Sequence, residues 1–426
     1  MTWNNTALAT TYVNAKQLTA IIPASFLSGF AQANIQVSIP ESPGQTLPLQ
    51  PFTTFLALPI NDIVYNAVDG LIYASVAGSA GEGLGNTIAG IDPTSGVIVK
   101  TIFVGSEPTR MALSSDGTQL FVGLNGAGAV RQVNMTTGTA GIQFSLGGGP
   151  GVYNPPYMAQ GLAVLPGQPD SVAVYGSNGI VTIFDSGVAR AKTSTGLSIY
   201  FNQNSGSLSF GSSASTLYLN SQSTSANLYA LTIDATGVTG ATPLGNGGGN
   251  SIQYDNNRLY ISSGAVLSAS TGSQLGQFST ASTSGSPSTP VAAVGPVVSD
   301  STLGRAWVVP SSLSYLTSAN QIVAFDETTF NPVGSMPITG VGANLPSSYN
   351  NNVPADLIRW GQNGLAYRTA SQLYVLQSPI VKDITTSSAD LSVSIQIAPC
   401  RILTMLAKTT GHRLLEIRSI GTVGID

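Results

Sequence analysis

Histidine, cysteine and charge are nearly absent from this chain of 426 residues, which carries one His, one Cys and only 8% charged side chains. With Cys400 alone, neither an intramolecular disulfide nor a Cys-based metal site can form. His412, the one histidine, lies in the last part of the chain, so residues 59–380 contain no His triad, His metal site or His general base. Both residues read as incidental features of a solvated tail. The net charge of −4 excludes the basic footprint that nucleic-acid binding needs, so no nucleic-acid partner is expected. No apolar run approaches the ~18 residues of a spanning segment, so no transmembrane segment is expected. Met1-Thr-Trp-Asn-Asn-Thr lacks the basic start and apolar core of a signal peptide. Either the protein stays inside the cell, or the chain is a piece of a longer precursor. Helix formers such as Lys and Glu are few, whereas Gly (48) and Pro (24) are plentiful. Few helix formers and many turn formers make an all-β chain.

What is present is a repeat. Arg110-Met-Ala-Leu-Ser-Ser-Asp-Gly117 reads as a strand ending in an Asp-Gly turn, and Gln119-Leu-Phe-Val-Gly-Leu124 as a second strand. Val130-Arg-Gln-Val-Asn134 is a third, Thr136-Thr-Gly138 a turn and Ile142-Gln-Phe-Ser-Leu146 a fourth. Such a four-stranded meander buries too little surface to stand alone. Its first half returns at Ile63–Tyr65, Leu162–Val164, Leu208–Phe210, Ile252–Tyr254, Val297–Val298 and Leu357–Trp360. Its second half returns with turn residues at Asp92, Asp185, Thr236-Gly237, Thr271-Gly272 and Asp326. The copies number seven, most about 44–51 residues apart, and four strands at a period of roughly 40–50 are the signature of a β-propeller. The reading is therefore all-β: a seven-bladed β-propeller with a partial Ig-like β segment at the N-terminus.

Phe103-Val-Gly-Ser-Glu-Pro-Thr-Arg-Met-Ala-Leu-Ser-Ser-Asp-Gly-Thr-Gln-Leu-Phe-Val-Gly123 resembles the bacterial propellers named for a Tyr-Val-Thr-Asn (YVTN) repeat. Phe121-Val122 stands where the motif has Tyr-Val, and Gly123-Leu124 replaces its Thr-Asn. The resemblance is strong in blades 1 and 2 and degenerate in blades 3 to 7. It implies the architecture and an exported or surface setting. Related propellers include lactonase-like enzymes, quinone-dependent dehydrogenases and binding scaffolds, so fold alone leaves function open.

Residues 1–50 alternate apolar and polar side chains. Trp3-Asn4, Thr11-Tyr12-Val13, Gln17-Leu18, Ile22-Pro23-Ala24 and Val37-Ser38-Ile39 resemble the second half of an IPT/TIG domain, an Ig-like sandwich of bacterial surface proteins. Its opening strands are missing, and half a sandwich leaves one face of its core uncovered. Met1 is therefore expected to be an arbitrary start inside a longer multidomain chain. Glu41–Pro51 reads as a linker. The division expected is 1–50 for the partial Ig-like segment and linker, 51–380 for the propeller, and 381–426 for a linker and truncated tail. Within the propeller, 51–58 should supply the outer strand of the last blade, because an unclosed ring exposes two sheet edges. Ala389-Asp-Leu-Ser-Val-Ser-Ile395 resembles the opening strand of another Ig-like surface repeat.

Few residues carry chemistry. The runs Gly147–Gly151 and Gly245–Asn250 lack the Lys-Ser/Thr and helix of a phosphate loop and read as connectors. Asp255-Asn256-Asn257 reads as a turn rather than a calcium loop, and Asn134-Met135-Thr136 as a turn rather than a glycosylation site. In a propeller the innermost strands begin at the central axis, which places Asp62, Arg110, Gln160, Ser251 and Asp356 around its mouth. Two acids, one Arg and neutral polar groups there suit a small polar ligand or ion, or a hydrated channel whose charges pair locally. A lactonase-like site would need several carboxylates on a metal, and only Asp62 and Asp356 qualify. A quinone-dependent enzyme would need Trp-rich blades, and only Trp307 and Trp360 lie in the propeller. The longest connectors, Gly147–Met158, Ser279–Ser288 and Gly340–Asn352, should open on one face with Tyr153, Tyr157, Tyr315 and Tyr349, and aromatics on loops favour binding. The expectation is a non-enzymatic, cofactor-free, monomeric scaffold, extracellular or on the cell surface. It would bind an extracellular protein, glycan or matrix component; a propeller enzyme using the channel is the competing class.

Overall fold

The computed structural model describes residues 2–3, 5–14, 17–22, 33–39, 42–49, 52–149, 151, 155–197, 206–221, 227–249, 251–280, 291–310, 321–337, 356–362, 364–369, 371–377, 391–397, 403–409 and 414–417. Seven four-stranded antiparallel sheets form the blades of a β-propeller. Blade 1 is 60–103, blade 2 is 108–145, blade 3 is 159–189 and blade 4 is 206–246. Blade 5 is 252–277, blade 6 is 297–337, and blade 7 combines 356–377 with Phe52–Ala57. That last strand pairs antiparallel with Gln372–Gln377 from Gln372↔Ala57 to Gln377↔Phe52, so the chain's first propeller strand is the outer strand of its last blade. Ring closure of this kind removes the two edges that an open array would expose.

The strand composition explains the packing. The second strands Leu71–Val76 and Gln119–Leu124 are almost wholly buried runs of β-branched, aromatic and small residues. They are apolar on both faces because each blade is covered by a neighbour on each side. The core accordingly lies between blades. Tyr73 and Ile88 of blade 1 pack on Met111, Leu120 and Val122 of blade 2, and Trp307 of blade 6 packs with Tyr367 and Tyr374 of blade 7. Trp360 is equally a core residue, in the cluster that joins blades 7 and 1.

Turn chemistry sets the other boundaries. Asn134 accepts from the Thr137 N–H at 2.9 Å through its side chain and from the Gly138 N–H at 2.8 Å through its carbonyl, with Gly138 at φ +68°. Asn256 and Asn257 both sit at positive φ, at 45° and 59°, in the tight turn of blade 5. The equivalent of Gly138 in blade 6 is Phe330, which holds φ +59° without being glycine. Blade 3 has a fourth strand of only two residues, Val188–Ala189. Next to it Arg190 makes a bidentate pair with Asp185, Nε and Nη2 each 2.8 Å from a carboxylate oxygen, and donates to the Asp234 carbonyl of blade 4. These Arg190 hydrogen bonds hold the Asp185 carboxyl below its ordinary range.

Among the described residues three further sheets accompany the blades: a two-stranded pair, Ser279–Thr280 with Val291–Ala292, in the connection from blade 5 to blade 6, and two larger ones. One runs Thr6–Ala7, Thr2–Trp3, Ala33–Ile39, Ser42–Leu49. Ser42–Leu49 carries the Pro and Gly that suggest a linker, yet it is a strand; it lies at the sheet edge, where one side needs no ladder N–H and proline is accommodated. The second runs Ala9–Asn14, Gln17–Ile22, Leu391–Ile397, Leu403–Thr409, Leu414–Ile417. The two ends of the chain therefore share one sheet, with Leu391↔Ile22 through Gln396↔Gln17 in register. Among the described residues no helix is long and apolar enough to cross a membrane.

Candidate functional site

The inner strand of each blade turns one edge to the axis and the other to its own second strand. Side chains of one inner strand satisfy backbone groups of the next at three seams. The Ile252 and Tyr254 N–H groups donate to Ser207 Oγ and Ser209 Oγ at 3.2 and 2.9 Å. The Ser299 and Ser301 N–H groups donate to Gln253 Oε1 and Asp255 Oδ2 at 2.9 and 2.8 Å. Between blades 1 and 2 the acceptor is Asp62, whose Oδ2 receives the Met111 N–H at 2.7 Å and whose Oδ1 receives the Ile63 N–H at 2.9 Å.

Asp62 is the most constrained group at the mouth, 9% exposed. Burial, reinforced by the neighbouring Asp356 carboxylate, pushes its carboxyl up to about 6; Arg110, Arg368 and the Met111 N–H pull the other way without cancelling the rise. Asp356, at the start of blade 7, accepts from Arg368 Nε at 2.5 Å and lies 3.9 Å from Arg110 Nη1 of blade 2. Arg368 also donates to the Ile60 carbonyl of blade 1 at 3.3 Å. Two carboxylates and two guanidiniums therefore join blades 7, 1 and 2 at one end of the axis.

Of the five mouth residues expected from sequence, Asp62, Arg110 and Asp356 come together. Gln160 and Ser251 are half-buried at the starts of blades 3 and 5. Among the described residues no hydrogen bond or ion pair joins them to the charged group; the Ser251 N–H donates instead to Ser262 Oγ at 3.0 Å. Arg368 completes the cluster and is the residue the sequence reading missed. Its signal was register: the Asp356–Trp360 and Gly364–Arg368 hairpin has arms of equal length, which sets Arg368 opposite Asp356. On the loop face, Tyr157 is half-buried, and its N–H donates to the Gly147 carbonyl at 3.0 Å. Tyr153, Tyr315 and Tyr349 lie outside the described residues, as do Cys400 and His412. Among the described residues no three His, Cys, Asp or Glu side chains are grouped to hold a metal ion.

No protein-family model matches the chain, and no curated protein matches it. Solved structures do, 1124 chains in all, so the architecture is common and selects no function by itself. One is the structure of U3-55K, which matches with a TM-score of 0.50 over 76% of this chain and 98% of that one, at 11% identity. At that identity the likeness establishes the propeller fold alone.

Proposed function

We propose that this chain is a YVTN-like propeller acting as a non-catalytic binding scaffold in an exported or cell-surface bacterial protein, with terminal strands of Ig-like, IPT/TIG type. The observation that carries the reading is the occupation of the mouth charges. Asp62 is held by two backbone N–H groups, and Asp356 by Arg368 and Arg110. These groups close the seams of blades 7, 1 and 2 and are not left converging on a vacant centre. A scaffold held this way offers the connectors of the mouth face to a partner, because binding residues concentrate on loops fixed by a rigid frame. The partner class is an extracellular protein, a glycan or a matrix component.

The experiment is a screen of the intact chain against glycan arrays and immobilised extracellular proteins, followed by Tyr157→Ala and Arg110→Ala on any binder found. Loss of binding in a variant that unfolds at the wild-type temperature supports the mouth face as the recognition surface. Binding that survives both changes and disappears on altering the Asp69-Gly70 and Asp116-Gly117 turns places recognition on the opposite face and defeats this part of the reading.

A further inference from the structure

A second polar cluster lies far from the mouth, at the other end of the seam between blades 5 and 6. Glu327 follows the third strand of blade 6 and is 6% exposed. Tyr260, fully buried in the second strand of blade 5, brings its hydroxyl against the Glu327 carboxyl. Neither Tyr260 Oη nor Glu327 Oε1 completes a well-formed hydrogen bond, and the buried Ser299 Oγ of the same seam is likewise unsatisfied. Buried polar atoms in this condition are uncommon in native proteins and costly when charged.

The surrounding charges relieve Glu327 only in part. Arg258 of blade 5 donates to the Glu327 carbonyl at 2.5 Å, not to its carboxylate, and its guanidinium lies 5.9 Å from the centre of the Phe330 ring. Asp255 of blade 5 faces the site while accepting the Ser301 N–H and hydroxyl. Asp300 of blade 6 also faces it, paired with Arg359 of blade 7 at 3.1 Å. Asp326, the preceding residue, is turned to Arg305 at 3.2 Å. Two carboxylates therefore face a third, and the guanidinium that acts against them, Arg258, spends its hydrogen bond on the Glu327 carbonyl.

We propose that the seam between blades 5 and 6 is a pH-sensitive joint, closed when Glu327 is protonated and loosened when it ionises. The seam is suited to yield. The strands of blade 5 and the first two of blade 6 are four residues long, against six or seven in blade 2. Above the carboxyl the seam is held by aromatics, with Phe278 and Phe325 ring centres 4.7 Å apart. Phe330 is held beside them in a left-handed conformation that glycine occupies in other blades. Burial, with Asp255 and Asp300 adding to it, pushes the Glu327 carboxyl up from 4.5 to about 7, while Tyr260 and Arg258 oppose the rise. An acid whose folded-state value is raised binds its proton more tightly in the closed state. Stability of the seam therefore falls as pH rises from about 4.5 to about 7 and is level above that.

Hydrogen exchange of the intact chain, read by mass spectrometry at about pH 5.5 and about pH 8 and corrected for the intrinsic rate, tests this. Protection of 252–277 and 297–308 should fall roughly tenfold relative to blade 3, 159–189, as pH rises, by proton linkage. Glu327→Gln should abolish that differential. Tyr260→Phe removes the hydroxyl that lies against the carboxyl and opposes the rise, and should move the transition to higher pH; it serves as the readout if Glu327→Gln does not fold. A blade 5–6 protection that tracks blade 3 at both pH values overturns the proposal. So does a Glu327→Gln chain with the wild-type response.

Discussion

The seam between blades 1 and 2 and the seam between blades 5 and 6 each bury a carboxyl, yet they treat it differently. Asp62 gives both oxygens to backbone N–H groups and faces two guanidiniums as well as the Asp356 carboxylate. Glu327 faces two other carboxylates and the Arg258 guanidinium, which hydrogen-bonds its carbonyl, and leaves Oε1 unsatisfied. The first seam is flanked by six- and seven-residue strands, the second by four-residue strands. In a ring of repeats each blade contacts chiefly its neighbours, so one seam can be optimised while another drifts or is adapted. Burial alone does not decide what a carboxyl does; its donors and its neighbouring charges do.

Breaking the ring itself should have the largest effect. Removing residues 1–58 takes away Phe52–Ala57 and exposes the whole Gln372–Gln377 edge. Size-exclusion chromatography should then show aggregation, and thermal unfolding an earlier transition. A variant that stays monomeric and melts with the wild type would show that the ring closes without this strand. Next in size is Asp62→Ala, which strands the buried Met111 and Ile63 N–H groups and should cost about 3 kcal/mol in denaturant unfolding. Asp62→Asn keeps one acceptor and should cost less, most clearly above about pH 6, where the native aspartate carries its charge against burial.

The Glu327 side of the comparison predicts the opposite sign. Glu327→Gln should stabilise the chain at about pH 8, by about 1 kcal/mol, and give no gain at about pH 5. Equal effects at both pH values would mean that the carboxyl does not titrate across this range. Smallest of all, Gln160→Ala and Ser251→Ala should stay within about 0.5 kcal/mol, the range of substitutions that break no buried network.

The ring was legible in the sequence because its signals are local. Asp116-Gly117, Thr137-Gly138 and the apolar run Leu120–Val122 mark turns and strands within a few residues, and their recurrence counts the blades. Three mouth residues were legible from their place at the start of inner strands. Arg368 required hairpin register, and Glu327 required knowing that blade 5 sets Tyr260 and Asp255 against the end of a blade 6 strand. No local pattern encodes either pairing. The same holds for the chain ends: alternation in Gln17–Ile22 and Leu391–Ile397 shows two strands but not that they are neighbours. Ser42–Leu49 misled in the other direction, since Pro43 and Pro48 read as linker composition although an edge strand accepts them.

The mouth charges are the centre of the account, as the clasp that joins blades 7, 1 and 2. A double-mutant cycle on Asp356 and Arg368, each changed to alanine singly and together and followed by denaturant unfolding, tests this directly. A coupling of about 2 kcal/mol is expected, because loss of Asp356 leaves the buried Arg368 without its carboxylate and loss of Arg368 leaves the half-buried Asp356 without its closest cation. Faster hydrogen exchange in 60–66 is also expected for each single variant. Additive losses with unchanged exchange in that strand would show that the pair does not hold the ring, and the clasp would have to be abandoned.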